Sequence, residues 1–434
     1  MKAKSKYIAS VCKNIIIYLR DNPEGNLLMN YLKKKNEIIS YIYQLRVLTY
    51  YEIYDYLFKP YGLSDSYCHK IIKEMVSEKL LEKNGLRKNE SYYFVTLAGL
   101  KLIKENGLIH IGSDSPSSAP DLLPAHKVKI HEVLVNHQTS LNHFVLEYAS
   151  KTDSKFSYYD EKFVSQVFPG ARPDGLIREG QRLLFLEMDM NTEDKRALNR
   201  KWENYRTLIG SESFFNIRYP SLIVFILGGN ISDRSNRKSF LRKQILENIG
   251  DHISPKKNVI IGTEKELLQT LINKDNSTLI NHFTSLGYNI FKGSNDQGSL
   301  SGYEFDLYIN KTDENNKIVN LNGKYDEFLV DDMTDGNLYT YKKLSNYESI
   351  LSKFMFMHKR MLKYIILVNS EAEAYRLALD AGNFSNFVYY STPSRLSAHP
   401  LHTALFQVDR LGNSWHFEGP DLRIRADEEN LSTF

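Results

Sequence analysis

The sequence predicts a mixed α/β (α+β) protein: an N-terminal module of three helices and a two-stranded wing, then two α/β lobes of one duplicated design. Three observations predict it. Apolar residues recur at helical spacing in some segments and in short strand-like runs in others along the 434 residues. The first hundred residues follow the order helix, helix, helix, strand, strand. A strand–strand–helix pattern at 174–205 recurs, with its elements in the same order, at 306–347.

Residues 1–33 read as an N-terminal helical extension, polar around Asp21–Asn26. From Glu37 to Leu48 the positions Ile38, Ile39, Ile42, Leu45 and Val47 fit a helix. Thr49 caps a second helix to about Phe58, which Pro60-Tyr61-Gly62 ends, and Ser64 caps a third. The third helix turns Cys68, Ile71, Ile72, Met75 and Val76 inward. Leu80-Leu81 leads into a strand, Lys83–Asn89 forms a basic turn, and Tyr92–Thr96 returns as a second strand before a helix at Gly99-Leu100. Over 34–111 this is the winged helix-turn-helix pattern. Its outward residues are Ser66, Tyr67, His69, Lys70 and Lys73 on the third helix, with Lys83, Arg87 and Lys88 in the wing. They suit phosphates and base edges of double-stranded DNA. Winged helices also bind proteins, and surface lysines are ordinarily just solvated. Charge tips the balance: residues 1–110 hold 18 Lys and Arg against 11 Asp and Glu, a surplus of seven in a chain of net charge +4, so the remainder carries −3.

Residues 112–124, rich in Ser and Pro, form a linker. A long helix, His126–Ser150, opens the first lobe (125–275) and offers Glu132 as an acid. His126, His131, His137 and His143 share no helical face and read as surface or packing residues. His131-Glu132 lacks the second histidine of a zinc-protease motif. Arg172-Pro173-Asp174-Gly175-Leu176-Ile177 then starts one strand, a Glu-Gly-Gln turn (179–181) reverses it, and Leu183–Asp189 forms the next. Asp174, Glu187 and Asp189 are thereby brought to one sheet edge. Glu187 and Asp189, two apart, share a face. Carboxylates gathered at one point repel unless a positive group stands between them, and a divalent cation with oxygen ligands is the usual answer. The helix that follows carries the stripe Leu198, Trp202, Tyr205 and Ile209, with Lys201 flanking it so that it can lean toward the acids.

Pro173-Asp174, Glu187-x-Asp189 and Lys201-x-x-x-Tyr205 resemble the PD-(D/E)XK nuclease superfamily, and more specifically the replication-relaxation family of plasmids and mobile elements. The resemblance implies a winged helix followed by a nuclease-like core. It implies catalytic positions at Asp174, Glu187, Asp189 and Lys201, and a Mg²⁺ held by Asp174 and Glu187 if the core is active. One departure is evident: Asp189 stands where a typical active nuclease has lysine, which makes Lys201 the candidate for that charge.

The core segment recurs in a second lobe (276–415). Phe185–Met190 aligns with Phe328–Met333, Lys201–Tyr205 with Lys343–Tyr347, and Asp174–Ile177 with Asp306–Ile309. In this alignment Val330 replaces Glu187 and Asp331 falls on the opposite face, so the second lobe is expected to be degenerate. Residues 416–434 form a polar tail.

Several classes are excluded by what the sequence lacks. It contains no phosphate-binding Gly-x-x-x-x-Gly-Lys-Ser/Thr loop, and no paired histidines of a tyrosine relaxase. Two cysteines, Cys12 and Cys68, suggest neither a zinc site nor a disulfide framework, and a reducing cytoplasm is expected. No apolar run is long enough to span a membrane, and no signal peptide is expected. The favoured reading is a DNA-binding accessory protein of plasmid replication and relaxation, with a relaxase or replication initiator as partner. A Mg²⁺-dependent endonuclease or nickase is the second, and a transcriptional regulator the third.

Overall fold

The computed structural model describes residues 27–85, 90–106 and 129–417, apart from the short stretches 153–155, 169, 171, 192–194, 211–220, 229–233, 274–276, 293–298, 301, 315–319, 322–323, 326 and 360. The chain is a mixed α/β protein in two compact units, residues 1–193 with 207–230 and residues 194–206 with 231–434. The linker expected at 112–124, the wing residues Arg87 and Lys88, and most of the extension 1–33 and of the tail 416–434 lie outside the described residues. Among the described residues no helix is long and apolar enough to cross a membrane.

The first unit opens with α1 (Leu27–Leu45), β1 (Leu48–Thr49), α2 (Tyr50–Leu57), α3 (Asp65–Ser77), β2 (Leu81–Gly85), β3 (Ser91–Val95) and α4 (Leu97–Glu105). Local chemistry sets these boundaries. Thr49 accepts the Glu52 N–H while the Glu52 carboxylate accepts the Thr49 N–H, a reciprocal capping box that starts α2. A single 3-10 turn, Lys59–Tyr61, carries the chain into Gly62, whose φ of 69° stops it. Ser64 then caps α3 through the Tyr67 N–H. Ile38, Ile39, Ile42 and Leu45 of α1 and Cys68, Ile71, Ile72 and Met75 of α3 are buried, as their spacing requires. The strands form an antiparallel sheet in the order β1-β3-β2.

Helix α5 (Val135–Lys151) begins at Val135, later than the expected His126. His131 is extended, its ring accepts the Val133 N–H, and Glu132–Leu134 form a 3-10 turn, so the α-helical ladder cannot start sooner. This helix is bolted to the N-terminal module. The fully buried Asn142 donates to the Val47 carbonyl and accepts from Gln138, and Val135 joins Val47, Tyr92, Phe94 and Ile130 in one apolar cluster. Then follow β4 (Phe156–Asp160), α6 (Glu161–Val167), β5 (Gly175–Glu179), β6 (Arg182–Asp189), α7 (Lys195–Gly210) and β7 (Ser221–Leu227). Strand β5 runs antiparallel to both β4 and β6, and β7 runs parallel to β6. The β5–β6 hairpin closes through Gly180 at φ 56°. On α7 the stripe Leu198, Trp202, Tyr205 and Ile209 is buried.

The second unit comprises α8 (Arg234–Ile249), β8 (Lys257–Thr263), α9 (Glu264–Asn273), α10 (Ser277–Ser285) and β9 (Asn289–Lys292). Two short hairpins follow on either side of the next strand: β10 (Ser299–Leu300) with β11 (Tyr303–Glu304), then β12 (Leu307–Asn310), then β13 (Asn320–Leu321) with β14 (Lys324–Tyr325). The chain continues through β15 (Glu327–Asp332), α11 (Leu338–Ser345), α12 (Tyr347–His358), β16 (Lys363–Leu367), α13 (Glu371–Ala381), β17 (Val388–Ser391), α14 (Pro393–Ala398), α15 (Leu401–Ala404), β18 (Phe406–Val408) and β19 (Ser414–His416). A seven-stranded sheet runs β19-β18-β17-β16-β15-β12-β9. Both of its faces are covered, and the two-residue period sorts side chains between them. Leu329, Tyr364 and Ile366 enter one core, while Phe328, Val330, Ile365 and Leu367 enter the other.

Gly336, at φ 71°, lets the chain after β15 pass against β8: a Cβ there would stand 2.3 Å from the Ile261 carbonyl oxygen. Gly336→Ala therefore meets both a left-handed backbone and a hard contact, and is expected to lower stability by about 1–3 kcal/mol or more. Urea unfolding of the two proteins measures the difference.

Candidate functional sites

Two regions of the first unit hold the residues singled out by the sequence. On α3, Ser66, His69, Lys70 and Lys73 are exposed along one face. Tyr67 is half-buried with its ring against Phe58, and the His69 ring stands edge-on to Tyr50. Tyr50 in turn donates to the Asp65 carboxylate at 2.8 Å, which ties α2 to the start of α3. Lys83 is exposed on β2. The module thus presents a cationic, hydrogen-bonding helix face whose other side is buried core.

The second region is the acidic end of β5 and β6. Asp174 immediately precedes β5, and Gly175 pairs with Leu186, so Asp174 lies across from Glu187. One Asp174 oxygen, Oδ2, accepts the Met188 backbone N–H at 2.8 Å. This fastens the start of one strand to the end of its neighbour. Glu187 and Asp189 are fully buried. Asp189 uses Oδ1 to accept the Asn191 N–H at 3.1 Å, with Asn191 at φ 59°, so it shapes the turn that leaves β6. Behind that turn, the Gly228 N–H donates to the Asp189 carbonyl, and a Cβ on Gly228 would stand 2.8 Å from the Met188 sulfur. A side chain on Gly175 would likewise strike the Tyr158 ring at 2.8 Å.

His137, which the sequence pattern assigns to packing, belongs to this edge. Its Nε2 lies 3.3 Å from Asp174 Oδ2 and 3.0 Å from the Met188 carbonyl oxygen. The carbonyl can only accept, so that contact requires a proton on Nε2. A signal was present: His137 continues the buried α5 stripe Leu141, Phe144 and Tyr148, a place where a histidine needs a polar partner. Glu132, the acid expected from this helix, is exposed on the preceding 3-10 turn. Lys201 is half-buried on the part of α7 that groups with the second unit.

Among the described residues no group of three or more His, Cys, Asp or Glu side chains could hold a metal ion. A Mg²⁺ on Asp174 and Glu187 would need its remaining ligands from water and a nucleic-acid phosphate, the arrangement this ion commonly takes.

The second unit corrects one expectation. Leu307 pairs with Val330 as Gly175 pairs with Leu186. Asp331, not Val330, therefore holds the strand position of Glu187, on the same face, and Met188 corresponds to Asp332. Identical residues line up at the turns instead: Asp332 accepts the Thr334 N–H just as Asp189 accepts that of Asn191, but one residue earlier relative to the strand.

The replication-relaxation family model matches residues 39–218. Neither the curated proteins nor the solved structures contain a match.

Asp174→Ala removes the acceptor of the Met188 N–H and is expected to cost about 1–3 kcal/mol, whereas Asp174→Asn retains a carbonyl oxygen there and should cost clearly less. Equal losses in chemical denaturation would mean that this hydrogen bond does not hold the edge.

Proposed function

We propose, from the match of the replication-relaxation family model to residues 39–218, that this protein is a DNA-binding accessory factor in the replication and relaxation of a plasmid or other mobile element. It grips double-stranded DNA with a winged helix, of which α3 is the recognition helix, and works beside a relaxase or replication initiator. One observation carries the DNA-binding reading: α3 exposes Ser66, His69, Lys70 and Lys73 on a single face while its opposite face is buried. A helix of that form suits the major groove, with the lysines on phosphates and the shorter polar groups near base edges. The test is binding of a fluorescent duplex across a salt series. Lys70→Ala with Lys73→Ala should weaken affinity and reduce the logarithmic salt slope by about 1.8, at about 0.9 per lost phosphate contact. An unchanged slope would place the contacts elsewhere.

A second reading, a Mg²⁺-dependent nickase, draws on the acidic edge. Asp174 and Glu187 would hold the ion, which when bound supplies positive charge to a scissile phosphate and acidifies a water. His137 holds Asp174 in place. Supercoiled plasmid incubated with Mg²⁺ or Mn²⁺ separates the readings. Nicking by the wild type that Glu187→Gln abolishes, with DNA affinity unchanged, would make the protein an enzyme. Absence of nicking leaves the accessory role.

A further inference from the structure

The two units share more than an order of elements. In each, a helix leads into a strand that pairs antiparallel with the next, α5 before β4 and β5 in one, α10 before β9 and β12 in the other. In each, that second strand pairs antiparallel with a third, which pairs parallel with a fourth. An aspartate stands one residue before the second strand and spends Oδ2 on the N–H of the residue after the buried acid. That bond is Asp174 to Met188 at 2.8 Å in the first unit, and Asp306 to Asp332 at 2.9 Å in the second. The buried acids, Glu187 and Asp331, are both fully inaccessible to solvent.

The second pair differs in how its charge is answered. Lys343 on α11, itself buried, brings Nζ to 2.6 Å from the Asp331 carboxylate. The same ammonium donates to the Glu304 carbonyl at 2.9 Å and lies over the Phe305 and Tyr339 rings, 4.8 and 4.7 Å from their centroids. The Tyr364 hydroxyl donates to Asp331 Oδ2, and the Asp306 N–H donates to Oδ1 at 2.8 Å. Burial pushes the Asp331 carboxyl up to about 6 even with Lys343 against it. Removing one partner of such a pair leaves a charge that the interior cannot solvate.

We infer that the second unit is a divergent copy of the first unit's core, and that its acid pair Asp306–Asp331 is a cation-binding frame whose cation is the protein's own Lys343 ammonium. Lys343 stands where a divalent ion would serve paired carboxylates: it sets a positive charge against the buried Asp331 from a fixed helix. The second frame is thereby a structural lock.

The frame is tested by removing its cation. In full-length protein carrying Glu187→Gln, so that a metal response of the first unit is suppressed, Lys343→Ala is compared with Lys343→Ala/Asp331→Asn. Mn²⁺ is the probe, and thermal unfolding is the readout. Lys343→Ala alone should be strongly destabilised, and Mn²⁺ tenfold above its Kd should raise its midpoint by about 3–6 °C. The double variant should be more stable than Lys343→Ala without metal and should not respond to Mn²⁺. If Lys343→Ala folds only with Mn²⁺, the inference also stands. It is overturned if Mn²⁺ leaves Lys343→Ala unchanged, or if the double variant is no more stable or responds equally. The DNA-binding assay on Lys70 and Lys73 is independent of either result.

Discussion

A carboxylate placed just before one strand, accepting a backbone N–H near the end of its neighbour, is the constraint on which both acidic edges depend. Asp174 does this for Met188 and Asp306 for Asp332. The bond sets strand register at the point where the buried acid leaves the ladder, and a slip of one residue would send that acid to the other face. It also spends one aspartate oxygen on structure. The His137 imidazole lies 3.3 Å from the same Oδ2 of Asp174.

Within the first unit, contacts of α5 join the N-terminal module to the acidic edge. Asn142 on α5 reaches the Val47 carbonyl, Tyr56 on α2 donates to Glu147 on α5, and His137 on the same helix meets Asp174 and Met188. One helix therefore carries contacts to the module at several positions along its length and to the acids near its start. A factor that binds DNA through α3 would hold the acidic edge at a fixed offset from that DNA. The accessory and nickase readings both make use of such an offset, in the first case to present a surface and in the second to present a phosphate.

The two acid pairs illustrate how a buried carboxylate can be made tolerable. Asp331 is answered by a lysine, a tyrosine and a backbone N–H, all from its own unit, and the site is closed to solvent. Glu327, two turns of the pleat earlier on the same face of β15, accepts a hydrogen bond from the Tyr308 hydroxyl, so the second sheet has two buried acids each met by a tyrosine. Deep burial of acids in this unit is thus matched by phenolic and ammonium donors, which supply hydrogen bonds without water.

The sequence by itself determined the local structure. Thr49, Ser64 and Gly62 mark helix ends through caps and a left-handed stop, and the stripe Leu198, Trp202, Tyr205, Ile209 is buried as its period demands. The strands around 174–189 and the exposed face of α3 were legible for the same reason: periodicity and capping act within a few residues of chain. Tertiary structure alone decided the rest. His137 joins the acids because helix packing brings a distant stretch of chain against β6: the spacing 137, 141, 144, 148 turns it inward, but only packing supplies Asp174 and Met188 as its partners. The match of Asp331 to Glu187 was hidden because the recurring Asp-turn lies one residue nearer the strand in the second unit, so letters aligned by the turn misalign the strand. Register is set by hydrogen bonds between strands, and those belong to pairs of segments rather than to either segment's own residues.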